Sequence, residues 1–388
     1  MNNRLTQVIV IIFLFLLSNS TLQCRNTVNN VIDSEANIRV NKINYDESGV
    51  LYPFELNNSY GYIDINGCII IKPTLLFASP FAEGLGFIKL DQHKGAFLDS
   101  KGNFIIELNC IKSTVFYEGK AIATLAQRGD LVSIIFDKKG NIVYRGHIIV
   151  GFSDGMALED LPSGKLRYID SNGYFRFEAP SMQMGDFHCG LAKFLREGKW
   201  GYIDKNGKVR IEPKYVDASD FAEGLAAVQD YDKGIPVWKY INIEGQLCRE
   251  TDFNYCGAYS EGLAPYGLYY NTYTMSMLYG FIEKTGRKVT NSVFTRVSEY
   301  SDGLAAVKML SANRENIKNI TKGLTDIVFD YGDEGKYGYI DKEGNLVIDI
   351  VYNDAQPFMD GLAYIKDGNQ EGYIDKTGHF VWSKIRET

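Results

Sequence analysis

Short runs of alternating apolar and polar residues, broken at regular places by glycine, recur along the chain from about residue 46. The clearest stretch is 199–229, KWGYIDKNGKVRIEPKYVDASDFAEGLAAVQ. Residues 200–204 form one apolar-rich run, 208–211 alternate polar and apolar, and 225–229 form a third run. Runs of this length with a period of two predict strands, not helices. Between the first two lies Asp204-Lys205-Asn206-Gly207. Asp suits the start of such a turn because its carboxylate can bond the backbone within it, and Gly tolerates positive φ at its end, as in a hairpin with a bulge. Phe221-Ala222-Glu223-Gly224 predicts a second turn, and Pro213 is expected to end the middle strand.

Two marks carry this unit through the chain. The first is the Asp-type turn position, at Asp64, Asp99, Asp137, Asp170, Asp204, Asn242, Glu283, Asp341 and Asp375, each followed three residues later by Gly. The second is a Gly that usually follows an acid and precedes Leu-Ala: Gly49, Gly84, Gly119, Gly155, Gly190, Gly224, Gly262, Gly303 and Gly361. The distance from each turn acid to the next Gly mark is 20 residues in seven of eight cases, Asp137 to Gly155 being the exception at 18. Such a register identifies an internal repeat of about nine copies.

A lone hairpin is marginal in water, so the units must stack and bury their apolar faces on one another. Three residues before the Gly mark stands an aromatic ring in eight units: Phe81, Phe116, Phe152, Phe187, Phe221, Tyr259, Tyr300 and Phe358. A ladder of rings on one face is core. Two residues after the mark stands Ala in seven units, Ala226 and Ala305 among them, as at a place of close backbone approach. The expected fold is all-β: an array of about nine three-stranded antiparallel units. The first unit has Asp46 where the ring should be and the last stops at Trp382, so the ends read as caps of an open solenoid. A ring-shaped β-propeller is the alternative.

Lys199-Trp200-Gly201-Tyr202-Ile203-Asp204-Lys205-Asn206-Gly207-Lys208 with the later Phe221-Ala222-Glu223-Gly224-Leu225-Ala226 resembles the WG repeat of bacterial proteins, also called the KWG repeat. Lys336-Tyr337-Gly338-Tyr339-Ile340-Asp341 is nearly as close. The resemblance runs from about Asp46 to Lys384, although the name-giving Trp survives only at Trp200. It implies a β-rich repeat scaffold, often exported, without defined catalytic residues.

Ahead of the repeats the pattern changes. VIVIIFLFLL at 8–17 is unbroken and apolar, half the length needed to span a bilayer as a helix but suited to the core of a secretory signal. Cys24 follows at the place of a lipoprotein cysteine, with Gln23 where a small residue is usual; cleavage near Ser18-Asn19-Ser20 is the other reading. The expected division is a signal peptide over 1–24, a polar linker over 25–45, the repeat domain over 46–384 and a tail over 385–388. The chain is expected at the cell envelope, or secreted or periplasmic, touching membrane only through a lipid on Cys24. The remaining cysteines, Cys68, Cys110, Cys189, Cys248 and Cys256, are odd in number and show no CxxC spacing. Cys248 could pair with Cys256.

Composition removes several function classes. The net charge of −7 and the absence of a basic domain disfavour nucleic acid. His93, His147, His188 and His379 fall at unrelated points of the unit, and no Gly-x-Ser-x-Gly, phosphate loop or Asp-x-Asp-x-Asp loop occurs. No catalytic residue, metal or cofactor is expected. The repeated acids, such as Glu83 and Glu223, read as structural because they repeat.

What varies is the interval from the Gly mark to the next turn acid. It grows in three consecutive units: 18 residues after Gly224, 21 after Gly262 and 38 after Gly303. Equivalent loops of stacked repeats share an edge, so these predict one enlarged rim. Tyr231, Trp238, Tyr266, Tyr269, Tyr270 and Tyr273 lie in it, and such rings offer flat apolar area with a polar tip for a protein or glycan. The plainer reading is that they pack the loops down. Tyr279 also falls there, and 308–336 is read as a lid, a small helix or a loop. The functional expectation is a non-catalytic binding scaffold, against a structural spacer or a glycan-active enzyme.

Overall fold

The computed structural model describes residues 37–41, 44–127, 129–147, 151–161, 163–271, 276–310 and 335–386. The segment read as a signal peptide, with Cys24, lies outside the described residues, as do Tyr273 and most of 308–336.

Among the described residues the chain forms nine antiparallel sheets of three to five strands and no helix. They follow one another as blades 1 to 9, over residues 52–75, 77–109, 112–146, 156–178, 191–215, 217–250, 255–283, 296–352 and 354–385. A complete blade has a short first strand and three longer ones, as in Asp217–Ala218, Leu225–Asp232, Ile235–Asn242 and Leu247–Glu250. Three loops join them: an acid–Gly turn between first and second strands, a long hairpin between second and third, and an Asp–Gly turn between third and fourth. Because the strands alternate in direction, both turns lie at one end of each blade and the long hairpin at the other.

The sequence motif and the blade are out of phase. Residues 199–229 supply the last two strands of blade 5 and the first two of blade 6. Each copy of the motif therefore builds an interface, and the buried residues show this. The apolar core consists of nine clusters, one between each pair of adjacent blades. The ring ladder lies in these clusters, with every member buried, from Phe116 and Phe358 at 0% exposure to Phe152 at 8%. The seven alanines after the Gly mark are buried too.

The ninth cluster joins the ends. Tyr52, Phe54 and Ile63 of blade 1 pack with Leu362, Tyr373 and Trp382 of blade 9. Phe54 and Trp382 have ring centroids 4.7 Å apart, Tyr373 donates its hydroxyl to the Pro53 carbonyl at 2.8 Å, and Lys384 donates to the Glu55 carbonyl at 2.7 Å. The array is thus a closed β-propeller of nine blades, and the open solenoid is corrected in favour of the ring. The reason is physical: caps of an open array should be polar, whereas these end units present Tyr52, Phe54, Val381 and Trp382, which need covering.

Two smaller expectations also change. Pro213 does not end its strand, which runs Val209–Tyr215. Pro213 stands on the fourth, edge strand beside a register shift opposite Trp200 and Tyr202, where no ladder donor is required. Part of the segment read as a linker, Arg39–Val40, pairs with Glu107 and Ile106 and makes a fifth strand on blade 2. Cys248 and Cys256 are free, the first exposed and the second buried, so the disulfide considered between them is not formed.

Candidate functional site

The two ends of the blades differ in what their residues do. At the turn end, the side chains are spent on holding the ring together. In the Asp–Gly turn Asp204 Oδ1 accepts the N–H groups of Asn206 at 2.9 Å and Lys208 at 3.0 Å, and Gly207 adopts φ +79°. The acid–Gly turn is a two-residue hairpin with both residues at positive φ, as at Glu223 (51°) and Gly224 (83°). That is the type I′ geometry, costly for Glu, which lacks the local bonding of Asn or Asp. The acid offsets this cost across the blade interface. Glu83, Glu118, Asp154, Glu223, Glu261 and Asp302 each accept the N–H of the Gly mark one blade further on, at Gly119, Gly155, Gly190, Gly262, Gly303 and Gly361. Lysines of the next Asp–Gly turn close four of these contacts as ion pairs: Lys138 with Glu83 at 3.2 Å, Lys205 with Asp154 at 3.1 Å, Lys284 with Glu223 and Lys342 with Glu261 at 2.9 Å. Lys342 first, and then the N–H of Gly303, hold the Glu261 carboxyl below its ordinary range.

A second set of interblade bonds was not read from the sequence. Tyr62, Tyr168, Tyr202, Tyr240 and Tyr339, on third strands, donate their hydroxyls to the carbonyls of Ser79, Gly185, Ser219, Gly257 and Gln356 in the next unit, at 2.7–2.9 Å. The separation is 17 residues every time. The recurring Tyr before the aliphatic residue was visible; that its hydroxyl crosses an interface was not.

The opposite end carries the length variation. The long hairpin of blade 6 has two eight-residue strands, Leu225–Asp232 and Ile235–Asn242, paired along their whole length around Lys233 and Gly234. Blade 7 follows with Leu263–Asn271 and Ser276–Glu283, and blade 8 with Leu304–Met309 and Lys336–Asp341. These three are neighbours in the ring, so the described strands of the long hairpins end in one sector of one face.

The structure separates the candidate residues by depth. Trp238 and Tyr266 are buried in the cluster between blades 6 and 7. Trp238 Nε1 donates to the Asn254 carbonyl at 3.0 Å, and Tyr266 stacks on Phe253 at 4.3 Å and donates to the Thr290 carbonyl at 2.9 Å. Tyr279 and Tyr255 pack edge to face at 5.8 Å, and burial pushes the Tyr255 hydroxyl up to about 12. Tyr269 is half-buried, its N–H donating to Asn254 Oδ1 at 2.8 Å. Tyr231 and Tyr270 are exposed, the former 53% exposed with Lys199 Nζ 5.3 Å from its ring centre. Ile235, which was not singled out, is exposed at the same tip, where it pairs with Asp232 while Tyr231 pairs with Pro236. Its signal was an aliphatic residue directly after the Lys-Gly turn, where solvent exposure is geometrically forced. Tyr231, Ile235 and Tyr270 are therefore the solvent-facing set. No group of three or more His, Cys, Asp or Glu able to hold a metal ion occurs among the described residues.

Among solved structures the chain is similar to BamB from Moraxella catarrhalis, with 11% identity and a TM-score of 0.36 over 71% of this chain and 96% of that one. It is similar to a putative TolB from Agrobacterium tumefaciens, with 11% identity and a TM-score of 0.29 over 55% and 84% of the two chains. It is also similar to Hsv2 from Kluyveromyces lactis, with 10% identity and a TM-score of 0.34 over 78% and 94%. No curated protein matches the chain. The family model for the WG containing repeat matches residues 60–92, 200–233, 279–310 and 337–370, each spanning two consecutive blades as the out-of-phase motif requires. The chain thus carries WG repeats at these four places, and the same marks continue through the other blades.

Proposed function

We propose that this propeller is a non-catalytic binding scaffold of the cell envelope, or a secreted one, which contacts a protein or glycan through the long hairpins of blades 6 to 8. One observation carries the reading. The outer half of the blade 6 hairpin stands beyond the interblade core, holds its full ladder, and ends in exposed Tyr231 and Ile235. Closure of the propeller does not need these two side chains, and a paired hairpin presents them without the ordering cost of a loose loop. Tyr270, near the end of a blade 7 strand, adds another exposed ring, of the kind that anchors interfaces. The export part of the proposal rests on the apolar run at 8–17 and on Cys24.

The test is crosslinking capture from the native envelope together with a glycan array, comparing the full chain with a Tyr231→Ala, Ile235→Ser, Tyr270→Ala variant. The expected result is loss of a captured partner or glycan in a variant that melts where the parent does. Identical capture by both chains would contradict the rim assignment and favour a spacer. Turnover of a glycan, abolished by one carboxylate substitution, would favour an enzyme.

A further inference from the structure

The chain joins the propeller at a defined place. Asn37 and Arg39 precede Val40 on the added strand of blade 2, which runs antiparallel to Phe104–Asn109. That strand ends at the long-hairpin end of the blade, so Asn37 stands at the long-hairpin face. A cleft of about 120 Å³ confirms the placement: Asn37 and Arg39 line it together with Leu90 and Lys94, from the two sides of the blade 2 hairpin. Around this entry point three consecutive hairpins carry an exposed leucine beside their turns: Leu56 in blade 1, Leu90 in blade 2 and Leu131 in blade 3. The blade 5 tip is polar, at Glu197 and Gly198, whereas the blade 6 and 7 tips expose Tyr231, Ile235 and Tyr270 but no leucine.

We infer that these three leucine-bearing tips rest on a phospholipid surface, to which the segment ahead of Asn37 attaches the chain. The inference rests on the export reading given above. Twelve residues lie between Cys24 and Asn37, a reach of at most ~45 Å when extended. A ring tethered within that distance sits at a high effective concentration over the membrane, so weak apolar contacts suffice. Leucines at the acyl boundary with cations at headgroup level are the usual interfacial arrangement, and Arg39 and Lys94 are both exposed beside Leu90. Glu107 also lines that cleft and limits its pull on anionic headgroups. In a ring of nine, blade 2 lies across from blades 6 and 7. Tilting blades 1 to 3 onto the lipid lifts the enlarged hairpins away from it.

The experiment places the full chain on vesicles of phosphatidylethanolamine and phosphatidylglycerol that carry a photoactivatable acyl chain, and maps labelled peptides by mass spectrometry. The expected result is label on the peptides holding Leu56, Leu90 and Leu131, several-fold above the peptide holding Glu197. It should fall to that background in the Leu56→Ser, Leu90→Ser, Leu131→Ser variant. Label on the peptide that follows Cys24 with none on the tips would overturn the inference and leave the export reading standing. Label on neither would overturn both.

Discussion

Glu261 reaches one blade forward to Gly303, accepting its N–H at 3.0 Å across 42 residues of sequence. The carboxylate sits at φ +52°, a conformation that Glu adopts at a cost, and Lys342 pairs with it at 2.9 Å. A residue held in an unfavourable conformation by a contact to the next repeat ties local strain to ring assembly.

Removing that charge should weaken the ring in a pH-dependent way. The Glu261 carboxyl lies below its unfolded value of about 4.3, so its contribution is fully present above that value and is lost as pH falls through the lowered folded value. Glu261→Gln should destabilise the chain by about 1 kcal/mol at pH 7. The difference from the parent in thermal or urea melts should shrink toward zero below about pH 4. Comparison with the parent cancels opposing groups such as Asp186, whose carboxyl is raised by burial and then by Asp220.

The interface rings and hydroxyls should differ in weight. Phe221 is buried between blades 5 and 6 with its centroid 4.8 Å from that of Tyr202. Phe221→Ala should cost roughly 3–5 kcal/mol, the range for deleting a buried ring. Tyr202→Phe keeps the ring and removes one bond to the Ser219 carbonyl at 2.7 Å, and should cost about 1 kcal/mol. Denaturant melts that rank the two the other way would overturn the ladder as the main interface term.

The junction between blades 5 and 6 lacks both parts of the acid–lysine contact. There the acid is replaced by Cys189, at φ +53°, and the lysine by Ile243. Gly224 therefore faces a junction without the carboxylate that its counterparts meet. Cys189→Asp restores a residue that tolerates positive φ and can accept that N–H, and should raise stability by about 1 kcal/mol. An unchanged or lower melting point would show that the carboxylate bond does not offset its own desolvation.

Thiol reactivity should divide by depth. Burial pushes Cys110 and Cys256 up to about 11, so both stay protonated at pH 8. Cys68, Cys189 and Cys248 are exposed. Peptide mapping after brief alkylation of the folded chain should find these three modified and the buried two untouched until denaturant is added.

Much of this was legible in the chain because repetition turns weak local signals into a register. The turn acids, the Gly marks and the ring ladder all stand where the spacing placed them. Closure was less legible because it depends on partners at opposite ends, Phe54 and Trp382, whose pairing no local pattern encodes. Their apolar character in units expected to be polar caps was the available sign. The long hairpins of blades 6 to 8 follow one another in the ring, but the candidate rings on them stand at different depths. Trp238 lies deeper on the hairpin whose tip exposes Tyr231 and Ile235, and Tyr266 lies deeper on the strand that exposes Tyr270, so distance from the tip decides which rings are buried.

Closure is also the claim on which the account stands, and one distance tests it. Spin labels at positions 55 and 384, in a background with Cys68, Cys189 and Cys248 replaced by Ser, report the separation of the first and last blades. The closed ring, in which Lys384 Nζ meets the Glu55 carbonyl at 2.7 Å, predicts one short distance set by the labels themselves. Nine units stacked in an open row at about 10 Å each would hold the labels ~80 Å apart, and a population there would contradict the ring.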